Sequence, residues 1–375
     1  MAELLKLVDL RRQYQPLREE ILAALDGVLT EMNLNLGPNT RAFEREWAEF
    51  CATKHAKGVD NGTDALMLAM YAYGIGPGDE VITPANTFVA IVEALFTVGA
   101  TPVFVDIDPD TYNIDVEQTR AAITDRTKMI VPVHLYGLAA DMDPILEMAR
   151  PKGIIVLEDA SQAQGAQYKG RRVGGIGDSA AFSLYYTKNL GGYGEGGIFT
   201  TNDDNIALKV DMMRQHGANP ATRYKHEILG FNSRLDEMQA TILRIKFRHL
   251  EEYNAQRRHW AARYTELLGD AVATPKRFPG YEEVNYVYVI RTHNRDEVKA
   301  KLIEANIESG IHYPIPLHLL PVTAHLGYKE GQFPVSEQYA KQILSLPLYP
   351  ELTDAEVERV ADAVKSAVRD LAPAR

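Results

Sequence analysis

Short apolar segments alternate with helical ones through the first half of the chain, and this alternation limits the fold more than any other feature. The segments GDEVITPANTF, ATPVFVDID and MIVPVHLYG are typical of strands, and the helical patterns VAIVEALFTVG and residues 116 to about 123 lie between them. Alternation of this kind predicts a parallel sheet with right-handed crossovers. We therefore predict an α/β fold, with a mostly parallel central sheet flanked by helices.

The length of the chain predicts a second, smaller domain. A chain of 375 residues is too long for one ordinary compact core. Amphipathic helices are expected at residues 8–32, 40–51 and 235–268, and the last third adds expected strands at VNYVYVIRT and ESGIHYP and helices at 295–305 and 354–371. We predict a large domain over residues 1–252, including the N-terminal helices, and a small α/β domain over residues 253–375.

Composition excludes several classes of protein. The net charge of −11 argues against a nucleic-acid-binding surface, which would carry a basic patch. The single cysteine, Cys51, excludes an intrachain disulfide and a cysteine-based zinc site, and the sequence shows no metal-ligand cluster. Because no apolar segment reaches transmembrane length and the first residues lack an apolar signal core, we expect a cytoplasmic protein without membrane contact.

The glycine-rich segment FSLYYTKNLGGYGEGG, residues 182–197, sets a single lysine, Lys188, among glycines and hydroxyls. Glycines permit positive φ and close approach of the backbone to a ligand. A desolvated, partly deprotonated lysine in such a place can form a Schiff base with the aldehyde of pyridoxal phosphate. Most lysines are surface residues, so this segment taken alone favours a solvated lysine, and only partners elsewhere in the chain can support the catalytic interpretation.

Two further segments supply such partners. In AKGVDNGTDAL a helix begins after Gly62, and its first amide groups, with Thr63, could bind a phosphate, although an ordinary helix cap explains the motif equally well. The apolar strand in GIIVLEDASQAQGA ends in Glu158 and Asp159, and a buried carboxylate there needs a cationic partner such as a protonated ring nitrogen. Parallel topology brings these strand ends and Lys188 to one edge of the sheet. A lysine, a carboxylate and a helix start are what a pyridoxal phosphate enzyme requires.

These segments resemble, in order, those of the DegT-type sugar-nucleotide aminotransferases, which are fold type I pyridoxal phosphate enzymes of the aspartate aminotransferase superfamily. The motifs that carry the resemblance are GTDAL at 62–66, PANTFVA at 84–90, EDASQAQGA at 158–166, FSLYYTKNLGGYGEGG at 182–197, GFNSRLDEMQA at 230–240 and HYPIPLHLLP at 312–321. They cover nearly the whole chain. The family also contains a dehydratase branch in which histidine replaces the lysine, so Lys188 favours amino transfer.

The resemblance implies a role for each matching residue. Lys188 would bind pyridoxal 5'-phosphate covalently and move the proton during catalysis, and Asp159 would pair with the pyridinium nitrogen. The remaining cofactor contacts would be Gly62, Thr63 and Ser183 at the phosphate, Phe88 stacked on the ring, Gln162 near the phenolic oxygen, and Asn232 reaching the phosphate from the neighbouring subunit of a homodimer. In the irregular segment near residue 315, Tyr313 and His318 are candidates for substrate contact, and structural roles fit them equally well.

The implied reaction transfers an amino group from an amino acid donor, L-glutamate, to a keto sugar nucleotide for amino-sugar biosynthesis. The KNLG sequence and the HYPIPLHL block favour a 3-keto-6-deoxyhexose nucleotide as acceptor. The alternatives are a C4-keto sugar nucleotide, a keto-inositol aminated with glutamine, and a non-catalytic regulatory protein on the same scaffold. Tyr186 and Thr187 replace the family's usual proline and small residue, a departure that bears on the substrate and not on Lys188.

Overall fold

The computed structural model describes residues 3–222 and 224–371. Its helices are α1 (Leu10–Glu31), α2 (Pro38–Phe50), α3 (Gly62–Tyr73), α4 (Ala90–Val98), α5 (Val116–Ala122), α6 (Met142–Ala149), α7 (Asp204–Met213), α8 (Glu237–Phe247), α9 (Leu250–Leu268), α10 (Arg295–Glu304), α11 (Pro334–Ala340) and α12 (Asp354–Leu371). Its strands are β1 (His55–Val59), β2 (Glu80–Pro84), β3 (Thr101–Val105), β4 (Thr127–Ile130), β5 (Ile155–Asp159), β6 (Gln167–Tyr168), β7 (Arg171–Arg172), β8 (Ser179–Ser183), β9 (Gly197–Thr201), β10 (Tyr281–Glu282), β11 (Tyr288–Arg291) and β12 (Ile343–Leu346).

Seven strands form the central sheet, in the order β1-β9-β8-β5-β4-β2-β3. Only β9 runs antiparallel to its neighbours, β1 and β8, while the pairs from β8 through β5, β4 and β2 to β3 are parallel. The strands are short and apolar because helices cover both faces of the sheet. This arrangement confirms the expected α/β fold with a mostly parallel sheet.

Each face of the sheet has its own hydrophobic core. On one face the aromatic side chains of α2, Phe43 and Trp47, pack with Phe182 of β8, and Cys51 is buried among them as a free thiol. On the other face α3 and α4 contribute Leu66, Leu68 and Leu95. The sheet is therefore held between two helical layers that leave only the ends of its strands open.

A third core gathers the C-terminal part of the chain. Its members come from α9, α10 and α12 and from the antiparallel pair β11 and β12, and Leu5 near the N-terminus joins them. The boundary that we predict between residues 252 and 253 falls inside α9, which runs continuously through it. The division into two domains stays a prediction, with α9 as the element shared by both.

The structure corrects one local expectation, the strand at ESGIHYP, and divides another into two elements. The segment ESGIHYP is not a strand, because only Gly310 pairs, with Ser345, in an isolated bridge, and proline, which cannot donate to a ladder, follows at residue 314. The helical patterns expected over 235–268 form two helices, α8 and α9, separated at Arg248 and His249. The segment ESGIHYP brings His312 and Tyr313 to the wall of a cavity, and the α8–α9 pair packs against the Lys188 loop.

Within the described residues, no helix combines the length and the apolar character that a membrane span requires.

Candidate active site

A cavity of about 540 Å³ opens at the carboxyl ends of β5 and β8. Ligands bind at this edge in open α/β sheets. Eight of the ten residues that the sequence singles out line this cavity, namely Gly62, Thr63, Phe88, Asp159, Gln162, Ser183, Lys188 and Tyr313. The structure therefore brings together residues from five separate sequence motifs.

One wall of the cavity is the start of α3. Asn61 caps the helix, because its side-chain oxygen accepts a hydrogen bond from the Asp64 amide at 2.8 Å. A Cβ atom on Gly62 would lie 2.8 Å from the Cβ of Ser183, so only glycine allows the helix start to approach the end of β8 this closely. The first amides of a helix lack partners within it and attract anions. Together with the Ser183 hydroxyl they form a cradle of hydrogen-bond donors, an arrangement that suits an anion such as phosphate.

Two adjacent carboxylates at the end of β5 have different surroundings. Glu158 is completely buried and accepts hydrogen bonds from His134 Nε2 at 2.9 Å and from the amides of Gly174, Ile176 and Gly177. Burial alone would raise the pKa of Glu158, but these partners outweigh it and hold the pKa below its usual value. The Glu158 carboxylate thus has its hydrogen-bond donors inside the protein.

Asp159, the next residue, lines the cavity and accepts a hydrogen bond from the Ser161 amide at 3.1 Å. Only 7% of its surface is exposed. No lysine, arginine or histidine of the described residues forms an ion pair with it. A carboxylate that is buried at a cavity wall without a cationic partner suits a protonated ring nitrogen, which is the role that the resemblance implies.

Lys188 lies in the loop between β8 and β9. Its amide donates to the Tyr185 carbonyl at 2.8 Å, and its Nζ lies 4.4 Å from the centroid of the Tyr286 ring. A Cβ atom on Gly191 would lie 2.3 Å from the Tyr185 carbonyl oxygen. The glycines therefore let this loop fold back on itself and present the lysine to the cavity.

Gln162, Tyr313 and Phe88 form one connected wall. Gln162 accepts a hydrogen bond from the Tyr136 amide at 2.8 Å and donates one from Nε2 to the Tyr313 hydroxyl at 3.1 Å. The Tyr313 and Phe88 ring centroids are 5.5 Å apart. Phe88 is 53% exposed, so its ring is free to stack on a flat ligand and is not a core residue.

Several residues of the cavity wall escaped the sequence reasoning, notably Tyr185, Thr187, Glu195, Tyr286 and His312. Four of them stand inside motifs quoted above, so their proximity to Lys188 or Tyr313 in the sequence is the signal that could have found them. Tyr286 lies in no motif. Only the tertiary fold, which places the segment before β11 against the Lys188 loop, reveals it.

His312 is a neutral imidazole at the cavity wall. Its Nδ1 shares a hydrogen bond with the Ser345 hydroxyl at 2.8 Å. Burial, with a smaller contribution from the charge of Lys188, lowers the pKa of His312 to about 4. It can therefore exchange hydrogen bonds with a ligand near neutral pH without adding a positive charge.

Two predicted residues lie away from the cavity of their own chain. His318 is buried, and its Nε2 shares a hydrogen bond with Glu337 Oε1 at 3.0 Å; Glu337 also accepts from the Gly331 and Phe333 amides. These contacts favour a structural role for His318. Asn232 is exposed, and its backbone forms an isolated bridge with Gln215. From this position it could reach another subunit.

Comparison with known proteins identifies relatives across the whole chain. The model of the DegT/DnrJ/EryC1/StrS aminotransferase family matches residues 15–365. The chain is 48% identical to a "Pleiotropic regulatory protein" of Geobacillus stearothermophilus, over 98% of this chain and 99% of the relative. It is 46% identical to a UDP-N-acetyl-3-dehydro-α-D-glucosamine 3-aminotransferase of Acidithiobacillus ferrooxidans, over 96% of both chains.

Solved structures agree with these relatives. The crystal structure of S. venezuelae DesV in complex with a ketimine intermediate superposes with a TM-score of 0.95 and 43% identity, covering 98% of this chain and 99% of that one. Other similar structures hold the cofactor in its pyridoxal or pyridoxamine phosphate form. The fold is therefore that of the pyridoxal phosphate aminotransferases.

Proposed function

The chain belongs to the DegT/DnrJ/EryC1/StrS aminotransferase family, and from that premise we propose that it moves an amino group from L-glutamate to C3 of a keto sugar nucleotide. It is an aminotransferase and its cofactor is pyridoxal 5'-phosphate. The observation that carries the proposal is one cavity that holds Lys188, the Gly62–Ser183 phosphate cradle, and a buried Asp159 with which no cationic side chain of the described residues forms an ion pair.

The residues of the cavity fit this cofactor. When bound, pyridoxal phosphate supplies an aldehyde that takes up the amino group and a ring that accepts an electron pair. Asp159 would keep the ring nitrogen protonated, because a nearby carboxylate favours the cationic form. The Lys188 amine would move the proton at the carbon that gains or loses the amino group. The α3 amides and Ser183 would hold the phosphate, Phe88 would pack on the ring, and Gln162 would lie at the phenolic oxygen.

The substrate side of the cavity supports a sugar acceptor. His312, Tyr313, Tyr185 and Thr187 place hydrogen-bonding groups at the wall, and sites that select polar hydroxylated substrates are built from such groups. We assign Tyr313 and the neutral His312 to the sugar. His318 is left with its structural contact to Glu337.

We further propose that the enzyme is a homodimer whose active site is completed by the partner. Lys188 is the only lysine or arginine among the residues that line the cavity in the described parts of the chain, yet a diphosphate needs cations or amides. Exposed apolar side chains on α1 and α8, among them Leu22, Leu29 and Met238, provide a surface for such a partner. Asn232 would reach the phosphate of the other subunit's cofactor. The molar mass in solution, measured by size-exclusion chromatography with light scattering, tests the dimer.

The choice of C3 rests on the KNLG and HYPIPLHL motifs and on the A. ferrooxidans relative, which is named for 3-amination. The direct test incubates the enzyme with L-glutamate and matched 3-keto and 4-keto sugar nucleotides and detects the amino sugar by mass spectrometry. A product from the 4-keto sugar alone, or from a keto-inositol with glutamine, would replace this acceptor. We also propose a cytoplasmic location, which suits a single free cysteine.

A regulatory role is the second candidate, because the G. stearothermophilus relative carries that description. The intact set of Lys188, Asp159 and Gln162 in one cavity argues for catalysis. The two candidates differ in one measurement, the spectral change on adding L-glutamate to the holoenzyme. A catalytic protein converts its cofactor to the amine form, and a purely regulatory one does not.

A further inference from the structure

We propose that three polar side chains of the α8–α9 pair, Lys246, Asn254 and Arg257, are positioning residues that fix Lys188 through the backbone around it. The inference rests on the proposed function, since it assigns their task in the same reaction. All three are at least 97% buried, and none lines the cavity. Polar groups this deeply buried require partners, and their partners are the segments that hold Lys188.

Lys246 holds the loop that follows Lys188. From α8 its Nζ donates a hydrogen bond to the Gly191 carbonyl and lies 4.9 Å from the centroid of the Tyr193 ring. Burial lowers the pKa of Lys246 to about 7, which shows how far this amine is removed from water. On the same helix Gln239 accepts from the Tyr193 amide at 2.8 Å. The helix thus anchors the loop at two points a few residues past the catalytic amine.

Asn254 holds the residue directly after Lys188. Its Oδ1 accepts from Asn189 Nδ2 at 2.8 Å, and its own Nδ2 donates to the Gln164 carbonyl at 2.9 Å. Asn189 Nδ2 also donates to the Val284 carbonyl at 2.9 Å. This chain of amides joins the Lys188 loop to the segment before β11 and to the turn that follows Asp159.

Arg257 holds the segment that contacts the lysine amine from the other side. Its Nη1 donates to the carbonyls of Asn285, Tyr286 and Leu348 at 3.4, 3.3 and 3.0 Å. Tyr286 is the residue whose ring lies against Lys188 Nζ. One helical pair therefore fixes both the backbone that carries Lys188 and the ring on which its amine rests.

This arrangement explains why the network is polar although it lies inside the protein. Three of the four residues from 191 to 194 are glycines, so this part of the loop has only the Tyr193 side chain to pack. Hydrogen bonds from a helix to its backbone can fix it where few side chains make contacts. A displacement of about 1 Å of a reacting group can cost about 100-fold in rate, so the precision of this support bears directly on catalysis.

The test uses Lys246→Met, which keeps the alkyl chain and removes the donor to Gly191. Thr241→Val on the same helix is the matched control, because the Thr241 hydroxyl is buried and its one hydrogen bond within the described residues goes to the Glu237 carbonyl of the same helix. Asn254→Leu serves as an independent second variant should Lys246→Met not fold. Each protein is measured by hydrogen–deuterium exchange over residues 189–193 and 284–286 and by the single-turnover rate with saturating L-glutamate.

For Lys246→Met we expect faster exchange in 189–193, retained cofactor, a glutamate KM within about twofold of wild type and a single-turnover rate lowered about 10- to 100-fold. Thr241→Val should match wild type in exchange and rate, whatever its melting temperature. Unchanged exchange and rate in both Lys246→Met and Asn254→Leu would overturn the inference. Failure of every sugar nucleotide to accept nitrogen would instead refute the proposed acceptor, leaving exchange and the glutamate half-reaction to decide the positioning role.

Discussion

Lys188 Nζ lies over the Tyr286 ring at the cavity wall, 4.4 Å from its centroid, although the two residues belong to separate parts of the chain. The Tyr286 hydroxyl also lies 3.3 Å from the Thr187 hydroxyl. An aromatic face attracts an ammonium group, and a ring in this place limits the directions in which the lysine can move. The contact ties the central sheet to the segment that leads into the smaller part of the protein.

The first prediction concerns this ring. Tyr286→Phe keeps the aromatic face and should retain the glutamate half-reaction within a few-fold of wild type. Tyr286→Leu removes it and should slow the half-reaction about 10-fold, since about 1 to 2 kcal/mol of cation–π attraction and orientation is lost. Stopped-flow absorbance at saturating glutamate measures both. Equal rates for the two variants would show that the ring only fills space.

Lys188 is expected to be the one covalent attachment site of the cofactor. Holoenzyme should be yellow, and borohydride followed by peptide mass spectrometry should find the cofactor on Lys188. The Lys188→Ala variant should be colourless and inactive. Lys246→Arg, which changes a buried lysine elsewhere, should still carry the borohydride-fixed label at Lys188. Label on any other lysine contradicts the assignment.

Asp159 is expected to affect the reactivity of the bound cofactor and not the affinity with which the cofactor binds. Asp159→Asn keeps the shape and the contact with the Ser161 amide but lacks the charge that favours a protonated ring nitrogen. We expect bound cofactor and transamination lowered by at least about 100-fold. Glu158→Gln is the comparison at the neighbouring residue. It should lower thermal stability, because the fully buried Glu158 carboxylate accepts hydrogen bonds from His134 and from three backbone amides, and an amide side chain cannot accept all of them. Near-normal turnover of Asp159→Asn would remove Asp159 from its role.

Gly62 is expected to be irreplaceable at the phosphate cradle. In Gly62→Ala the new methyl would meet Ser183 Cβ at 2.8 Å and its Cα at 3.0 Å, so the start of α3 must move away from β8. We expect cofactor affinity at least about 10-fold weaker and stability lower by about 1 to 3 kcal/mol. Gly76→Ala is a suitable control, because its nearest neighbour would be 3.8 Å away. Equilibrium titration of apoenzyme with cofactor separates the two variants.

The sequence was sufficient for the sheet and for the residues that its topology forces together. Asp159, Ser183 and Lys188 follow neighbouring strands, and the parallel order of β5 and β8 alone brings them to one edge. The sequence was insufficient where contacts between distant parts of the chain decide which residues reach the cavity. Tyr286 enters the cavity because Arg257 and Asn189 hold its segment, and no local pattern encodes that contact.

The acid pair at the end of β5 shows the same limit at a finer scale. From the sequence, Asp159 was the candidate for a cationic partner, and the surroundings of Glu158 were not predicted. The register of β5 turns Glu158 toward His134 and the amides after Val173, and Asp159 toward the cavity. His318 was likewise predicted from a motif as a candidate for substrate contact. In the structure its imidazole shares a hydrogen bond with Glu337.

The last prediction is a pH dependence of stability that originates at His312. Its pKa in the folded protein is about 4 because of burial, whereas an unfolded histidine titrates near 6.5. Between these values the unfolded chain binds more protons than the folded one, so stability falls as pH drops from about 6.5 toward 4. At pH 5 the loss from this group alone is about 2 kcal/mol relative to pH 8. Urea unfolding at pH 8 and pH 5 should therefore show a smaller acid-induced loss for His312→Gln than for wild type, by about that amount. An identical loss in both proteins would mean that folding does not lower the pKa of His312, which would remove the reason for treating it as neutral over the whole range from pH 5 to pH 8.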